Sequence, residues 1–338
     1  MMTPSFALAW KRFKKNKIAS CCLVLLLSIF CLSMLANFIA NDKPLLLRYD
    51  GQWYFPVFKT YPETEFGGVF ETETLYQDPV IAAQLQAKGW VLNAPIPYAE
   101  NSVNLALESP APTAPNKLNW LGTDDQGRDV LTRLLYGLRV SLLFAAALTL
   151  CAATLGIMIG AIQGYYGGWI DLIGQRILEV WSSVPMLFSV MILVSMVQPN
   201  IYWLFFILLC FGWTRLVSLV RAEFLAARNT EYVWAAKSIG VGHVDIMFRH
   251  ILPNVIHSSL SQLPIMFCAN LTILTALDFL GYGLGPEMAS LGELLLQARN
   301  NLHAPWIALT GFLTLAVILA LLMYIADAIR DAFNPHHY

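Results

Sequence analysis

The chain is 338 residues long, 57% hydrophobic and only 13% charged, with a formal net charge of -1 and a mean hydropathy of +0.57. Soluble domains carry about 25% charged residues, so this composition excludes an ordinary soluble globular protein, and the near-zero net charge gives no ground for a nucleic-acid partner. The charges are spread unevenly, and the gaps between them mark the predicted elements.

Residues 1–17 form a basic, amphipathic N-terminal segment in which Lys11, Arg12, Lys14, Lys15 and Lys17 stand immediately before the first charge-free stretch, Ile18 to Asn41. The positive-inside rule places this end in the cytoplasm. The run FALAWKRFKKNK either lies on the membrane surface or serves as a plain basic flank. The following stretch is long for a signal-peptide core and has no clear small-x-small cleavage site, so residues 18–40 are predicted as a first transmembrane helix that is retained.

Residues 41–120 read as a periplasmic insert module. Asn41 to Leu138 holds 12 acidic against 7 basic residues, an imbalance that suits an exported face. Short candidate strands such as QWYFPVF, Gln52 to Phe58, are broken by YPETEFGG, and APTAPNK, Ala111 to Lys117, reads as the linker out of the module. Its aromatic residues serve as a small core, as anchors at the lipid boundary, or as a ligand contact.

Residues 121–326 are predicted as a five-helix core. Val140 to Ile170, His250 to Leu277 and Asn300 to Ala326 each lack Asp, Glu, Lys and Arg and are long enough for one crossing. Val180 to Thr214 is longer and is interrupted by Gln198-Pro199-Asn200, which predicts a hairpin whose arms borrow length inward from Arg176 and onward past Arg215 to Val220. The total is six spans, with five as the fallback, and residues 327–338 become a cytoplasmic tail. Gly156, Gly160 and Gly164 recur at four-residue spacing, the pattern of closely packed membrane helices. All six cysteines fall in predicted spans and the six histidines form no chelating pattern, so no disulfide and no metal site is expected.

Between two apolar blocks, Glu231 to Asn254 gathers Glu231, Lys237, His243, Asp245, Arg249 and His250. Apolar residues recur there at three- and four-residue intervals in two arms, before and after Gly240 to Gly242. Two short cytoplasmic helices at an angle are predicted, the second ended by Pro253 and Asn254. Such an elbow either docks in a groove of another protein or lies on the bilayer as an ordinary amphipathic loop.

Ala235-Ala236, then Gly240, then Leu252-Pro253 resembles the EAA motif, the coupling helices of the transmembrane subunits of ATP-binding-cassette (ABC) importers. The longer run EYVWAAKSIG followed by RHILPN resembles the permeases that import oligopeptides, dipeptides and nickel. Trp234 stands where that motif has Glu, and His250 where it has Ile. A second signature agrees: NWLGTDDQGRDVLTRLLYGLRVSL, Asn119 to Leu142, is similar to the entry to the second span in the permeases with the shorter N-terminal arm. Within the family the look is nearest to the YejE-like permeases, which share the enlarged external insert and sequence such as LTALDFLGYGLGP, ending at Pro286; Asp278 and Leu291 occupy the family's usual Ser and Trp positions there.

The resemblance implies an all-α polytopic membrane protein with six transmembrane helices, the ABC importer type I permease fold, in the bacterial inner membrane with both termini cytoplasmic. It implies these partners: a homologous second permease, cytoplasmic ATPase subunits or one tandem ATPase, a periplasmic substrate-binding protein and the lipid bilayer. No catalytic residue and no cofactor are expected here, because the chain has no G-x-x-x-x-G-K-[ST] phosphate loop; ATP and Mg belong to the partner ATPase. ATPase coupling falls to residues 223–254, on Glu231, Ala235, Ala236, Gly240, His250, Leu252 and Pro253. Asp124, Gly127, Arg128 and Asp129 organise a periplasmic gate or binding-protein contact, or else cap and pair locally. Asp278, costly within lipid, is a pathway candidate or a structural partner. Peptides or peptide-like compounds are the expected cargo, with nickel or another small solute, a secondary transporter and a membrane scaffold as the open alternatives.

Overall fold

The computed structural model describes residues 4–104, 107, 109–196 and 200–333. In chain order, α1 is Pro4–Lys15, α2 Lys17–Met34 and α3 Ala36–Ile39; β1 is Leu46–Tyr49, β2 Gln52–Tyr54, α4 Pro79–Lys88 and β3 Gly89–Leu92. Then come α5 (Val130–Tyr166), α6 (Gly168–Ser183), α7 (Met186–Ser195), α8 (Ile201–Gly212), α9 (Thr214–Ala227), α10 (Glu231–Ser238), α11 (His243–Asp245), α12 (Leu252–Phe279), α13 (Leu291–Asn300) and α14 (Pro305–Phe333). Among the described residues five helical segments are long and apolar enough to cross a bilayer, and a bent pair, α6 with α7, makes a sixth when counted as one. This is an all-α polytopic membrane protein with one small sheet in its insert.

The hairpin predicted within Val180 to Thr214 is present, with two differences. Its first arm bends by 71° between α6 and α7, because Pro185 has no N–H to continue the ladder and forces Val184 into an extended conformation (φ -75°, ψ 124°). Of the turn residues, Gln198 and Pro199 lie outside the described residues. Asn200 caps α8, its side chain accepting from the Tyr202 N–H at 2.8 Å.

The chain divides into two compact units, Ser28–Val140 with Pro286–Thr314, and Met1–Leu27 with Ser141–Gly285 and Leu315–Tyr338. The first contains the insert. Its sheet has the order β2-β1-β3, both pairings antiparallel, with Leu47 opposite Tyr54 on one side and Val91 on the other. Alternation along β1 sends Leu47 and Tyr49 into the core. Helix α4 is started by Asp78, which accepts from the Val80 N–H, and buries Ile81 and Leu85, one turn apart. The fully buried Phe66 is met edge-on by Tyr49, Tyr54, Tyr61 and Tyr76 at 5.1–6.2 Å. These aromatics form the module's core. The strand expected over Gln52 to Phe58 stops at Tyr54, where Pro56 would remove a ladder donor.

In the second unit, α5 and α9 touch backbone to backbone. A Cβ added at Gly156 would lie 2.7 Å from the Trp213 carbonyl oxygen, at Gly160 2.7 Å from that of Val217, and at Gly164 2.5 Å from that of Arg221. The four-residue glycine spacing on α5 thus matches a four-residue row of carbonyls on α9 and its N-cap Trp213, and any side chain would push the helices apart. Arg221 of α9 also clamps Asp171 of α6 in a bidentate pair, its Nε donating to Oδ1 and its Nη2 to Oδ2 at 2.7 Å.

Candidate functional site

Two places gather the residues singled out in the sequence. The first is the elbow from Glu231 to Asn254. Helix α10 starts with Glu231 in its first turn, where a carboxylate suits the positive end of the helix dipole. It ends in a complete Schellman motif: the Gly240 N–H donates to the Lys237 carbonyl at 3.0 Å and the Val241 N–H to that of Ala236 at 3.1 Å. Gly240 has φ +81°, and a Cβ there would meet nothing within 4 Å. Backbone conformation, rather than space, is what requires glycine at 240.

The second arm differs from expectation. Pro253 does not end it. Helix α11 passes into a π-helical turn over Ile246–Ile251 and continues directly into α12, giving one apolar segment of 37 residues, His243–Phe279. The wider π turn accommodates a proline whose missing N–H and bulky ring would otherwise break an α-helix, and the Asn254 side chain donates to the His250 carbonyl at 2.8 Å.

The elbow has two faces. Val233, Ala236, Ile246, Met247 and Ile251 are buried against Ala161, Tyr165, Val220, Phe224 and Ala227 of α5 and α9. On the other side Trp234, Ile239 and Val244 are 59%, 81% and 65% exposed, and Glu231, Ala235 and His250 are exposed with them. Leu252 and Pro253 are half-buried at the root of α12. Tyr165 pins the bend: its hydroxyl is 2.8 Å from His243 Nδ1, and the Lys237 ammonium lies 5.5 Å from its ring centroid and 5.4 Å from that of Trp234. Sequence reasoning missed Tyr165. It sits at the end of an apolar stretch, 78 residues from its partner His243, and no local pattern marks it.

The second place is a buried ionic cluster. Gly127 turns at φ +77°. This brings Asp124 Oδ1 within 2.9 Å of the Gln126 and Arg128 N–H groups, and Arg128 Nε within 2.6 Å of Asp124 Oδ2. Asp129 caps α5, its Oδ2 accepting from the Thr132 N–H at 2.8 Å and hydroxyl at 2.9 Å, while its Oδ1 accepts from the Asn119 amide. Glu293 of α13 receives both arginines, with Oε1 3.3 Å from Arg128 Nη2 and Oε2 2.7 Å from Arg133 Nη2. The Pro286 carbonyl accepts from both as well, at 3.1 and 3.2 Å. Asp124, Arg128, Asp129, Arg133 and Glu293 are all nearly inaccessible. Beside them only Asp125 and Gln126 of the same turn are exposed. Arg133 and Glu293 were not singled out in the sequence, although Ser290 and Glu293 have the S-x-x-E spacing of a capping box. Ser290 does cap α13, accepting from the Glu293 N–H at 3.0 Å, while the Glu293 carboxylate turns to the arginines.

Asp278 is buried near the end of α12, and its Oδ1 accepts from the Leu284 N–H at 2.7 Å, closing the turn that follows. Among the described residues no group of three or more His, Cys, Asp or Glu side chains is placed to hold a metal.

Residues 156–336 match the family described as the binding-protein-dependent transport system inner membrane component, and residues 5–55 match the N-terminal TM domain of oligopeptide transport permease C. The chain belongs to this family of transport permeases. It is 50% identical to the inner membrane ABC transporter permease protein YejE of Escherichia coli (strain K12), over 99% of this chain and 98% of that one. It is 44% identical to the peptidoglycan transport system permease protein YejE of Agrobacterium fabrum, over 98% of this chain and 93% of that one. The oligopeptide transport system permease protein OppC of Haemophilus influenzae is 34% identical, over 71% and 77%. The elbow and the C-terminal spans of this permease lie in the first match, and α1 to β2 in the second.

Proposed function

We propose that this permease forms half of the pathway of an ATP-driven importer for short peptides or peptide-like compounds in the bacterial inner membrane, with a homologous second permease supplying the other half. The elbow receives the stroke of cytoplasmic ATPase subunits, or of one tandem ATPase, which hold ATP and Mg. A periplasmic substrate-binding protein delivers the cargo. In this reading both termini and residues 223–254 are cytoplasmic, and the insert is periplasmic.

The observation that carries the reading is the two-faced elbow. One face is fixed to α5 and α9, so it cannot move without them; the other presents Trp234, Ile239 and Val244 to solvent. Exposed apolar side chains around a bend suit insertion into a groove. Gly242 supports close approach: its φ of -64° is open to any residue, and a Cβ there would meet nothing within this chain. Glu231, Ala235 and His250 are then contact residues, Ala236 anchors the elbow, Gly240 sets its bend, and Leu252 and Pro253 pass the motion to α12. A docked ATPase biases a two-state membrane core to the extent that the elbow fits one of its states better. In this reading the cluster around Asp124, Gly127, Arg128 and Asp129 shapes the periplasmic gate from within, with Asp125 and Gln126 as the exposed contacts. The cargo class is supported by relatives named for oligopeptide, dipeptide and peptidoglycan transport.

Uptake of radiolabelled di- to pentapeptides by cells lacking this chain, with and without its restoration, tests the reading. Restored, energy-dependent uptake is expected from the natural chain and not from Gly240→Pro present at equal level in the membrane. Accumulation that ignores the presence of the chain would refute it.

A further inference from the structure

Arg215 stands near the middle of the span Ile201–Ala227, about 20 Å from either end at roughly 1.5 Å per residue. Its side chain is exposed, and among the described residues it has no ion-pair or hydrogen-bond partner. By contrast Arg221, six residues on, is held by Asp171. Arg215 lines an open-sided cavity of about 550 Å³ together with Leu187, Cys268, Thr272, Ala276 and Met323, a volume within the range of roughly 300–1,000 Å³ typical of small-molecule sites. The Thr272 hydroxyl already donates to the Cys268 carbonyl at 2.8 Å. The guanidinium is therefore the one strong, uncommitted donor among those six side chains, with five N–H groups in a planar fork.

Arg215 directly follows the charge-free stretch Val180 to Thr214 and lies inside this apolar span, where a cation facing hydrocarbon is costly, so this wall must meet water or a counter-charge. We propose that Arg215 is a transient docking point for the C-terminal carboxylate of a peptide in passage. The inference rests on the reading of the chain as half of a peptide pathway and names what that pathway recognises. The carboxylate is the one anion that free peptides share whatever their sequence. A lone arginine in an open-sided cavity binds it without enclosing it, as conduction requires.

The test compares uptake of one labelled tripeptide as the free acid and as the C-terminal amide, in cells carrying the complete importer. The binding protein's own preference is the same for every variant, so the acid-to-amide ratio isolates the permease. Arg215→Gln is expected to lower that ratio about tenfold, in line with losing a charge-assisted hydrogen bond, and Arg215→Lys to restore most of it. If Arg215→Gln does not reach the membrane, Thr272→Asp, which places a carboxylate in the same cavity, is expected to lower the ratio in the same direction. An unchanged ratio in these variants would overturn the proposal while leaving peptide import intact. Loss of the second permease from the Arg215→Gln complex at an unchanged ratio would overturn it in favour of an ion pair between permeases. Failure of the natural importer to take up either peptide would remove the cargo reading and this proposal together.

Discussion

At the scale of single residues, the elbow depends on one backbone angle. Gly240→Ala is expected to weaken the bend by about 1 kcal/mol, the cost of a left-handed conformation for an L side chain. Gly240→Pro cannot adopt φ +81° and also loses the donor to Lys237. Limited proteolysis should show faster cleavage around residue 240 in both, most in the proline variant; equal rates would contradict the role given to the glycine. The ionic cluster makes a separate prediction. Glu293→Gln leaves Arg128 and Arg133 short of their shared counter-charge in a buried site, at a cost of about 3–5 kcal/mol. A clearly lowered melting temperature in detergent is expected, and an unchanged one would mean that the cluster is solvated. Asp278 shows how an isolated residue misleads. Sequence alone marks it as an expensive charge near the end of a span, whereas its surroundings give it a turn to close with the Leu284 N–H. Arg215, read in the sequence only as an arginine that a hairpin arm passes, stands instead near the centre of a span.

At the scale of elements, what was legible followed from periodicity and from missing charge. The apolar spans, the hairpin and the two-armed elbow all come from such patterns. The bend at Pro185 and the unbroken run through Pro253 do not, because the same residue type has opposite outcomes: α6 ends before one proline, while a π turn absorbs the other. The glycine row on α5 was legible as spacing but not as a partner, and only the fold supplies the carbonyls of α9. Gly160→Ala would bring a methyl within 2.7 Å of the Val217 oxygen and is expected to cost about 1–3 kcal/mol through overpacking. Thermal unfolding in detergent reads this directly, and a neutral result would show that the two helices separate easily. In the insert, burial pushes the phenols of Tyr76 and Tyr98 above the ordinary tyrosine value. Their neutral forms are favoured in the fold, so this stabilisation is fully present below pH about 10 and is lost as pH rises through the raised values. Absorbance titration of the phenols should show late ionisation in the folded protein that becomes ordinary on unfolding.

At the scale of the whole molecule, the order of spans and the excess of basic residues before the first of them carry the proposed sidedness. In a background free of native cysteines, Lys117→Cys should react with an impermeant maleimide on intact spheroplasts, and Ser238→Cys only after lysis; the reverse pattern would invert the topology. The sheet β2-β1-β3 was not legible, since strands of three or four residues give too little alternation to be read from sequence. The central claim is that the elbow joins this permease to an ATPase. It is tested most directly by affinity purification of the tagged chain from its native host in mild detergent, with the natural elbow and with Gly240→Pro. Co-purification of a second permease and a nucleotide-hydrolysing subunit is expected, with the latter lost from the variant while the permease pair persists. Equal recovery of the ATPase with both chains, or its absence from the natural one even after crosslinking, would contradict the account.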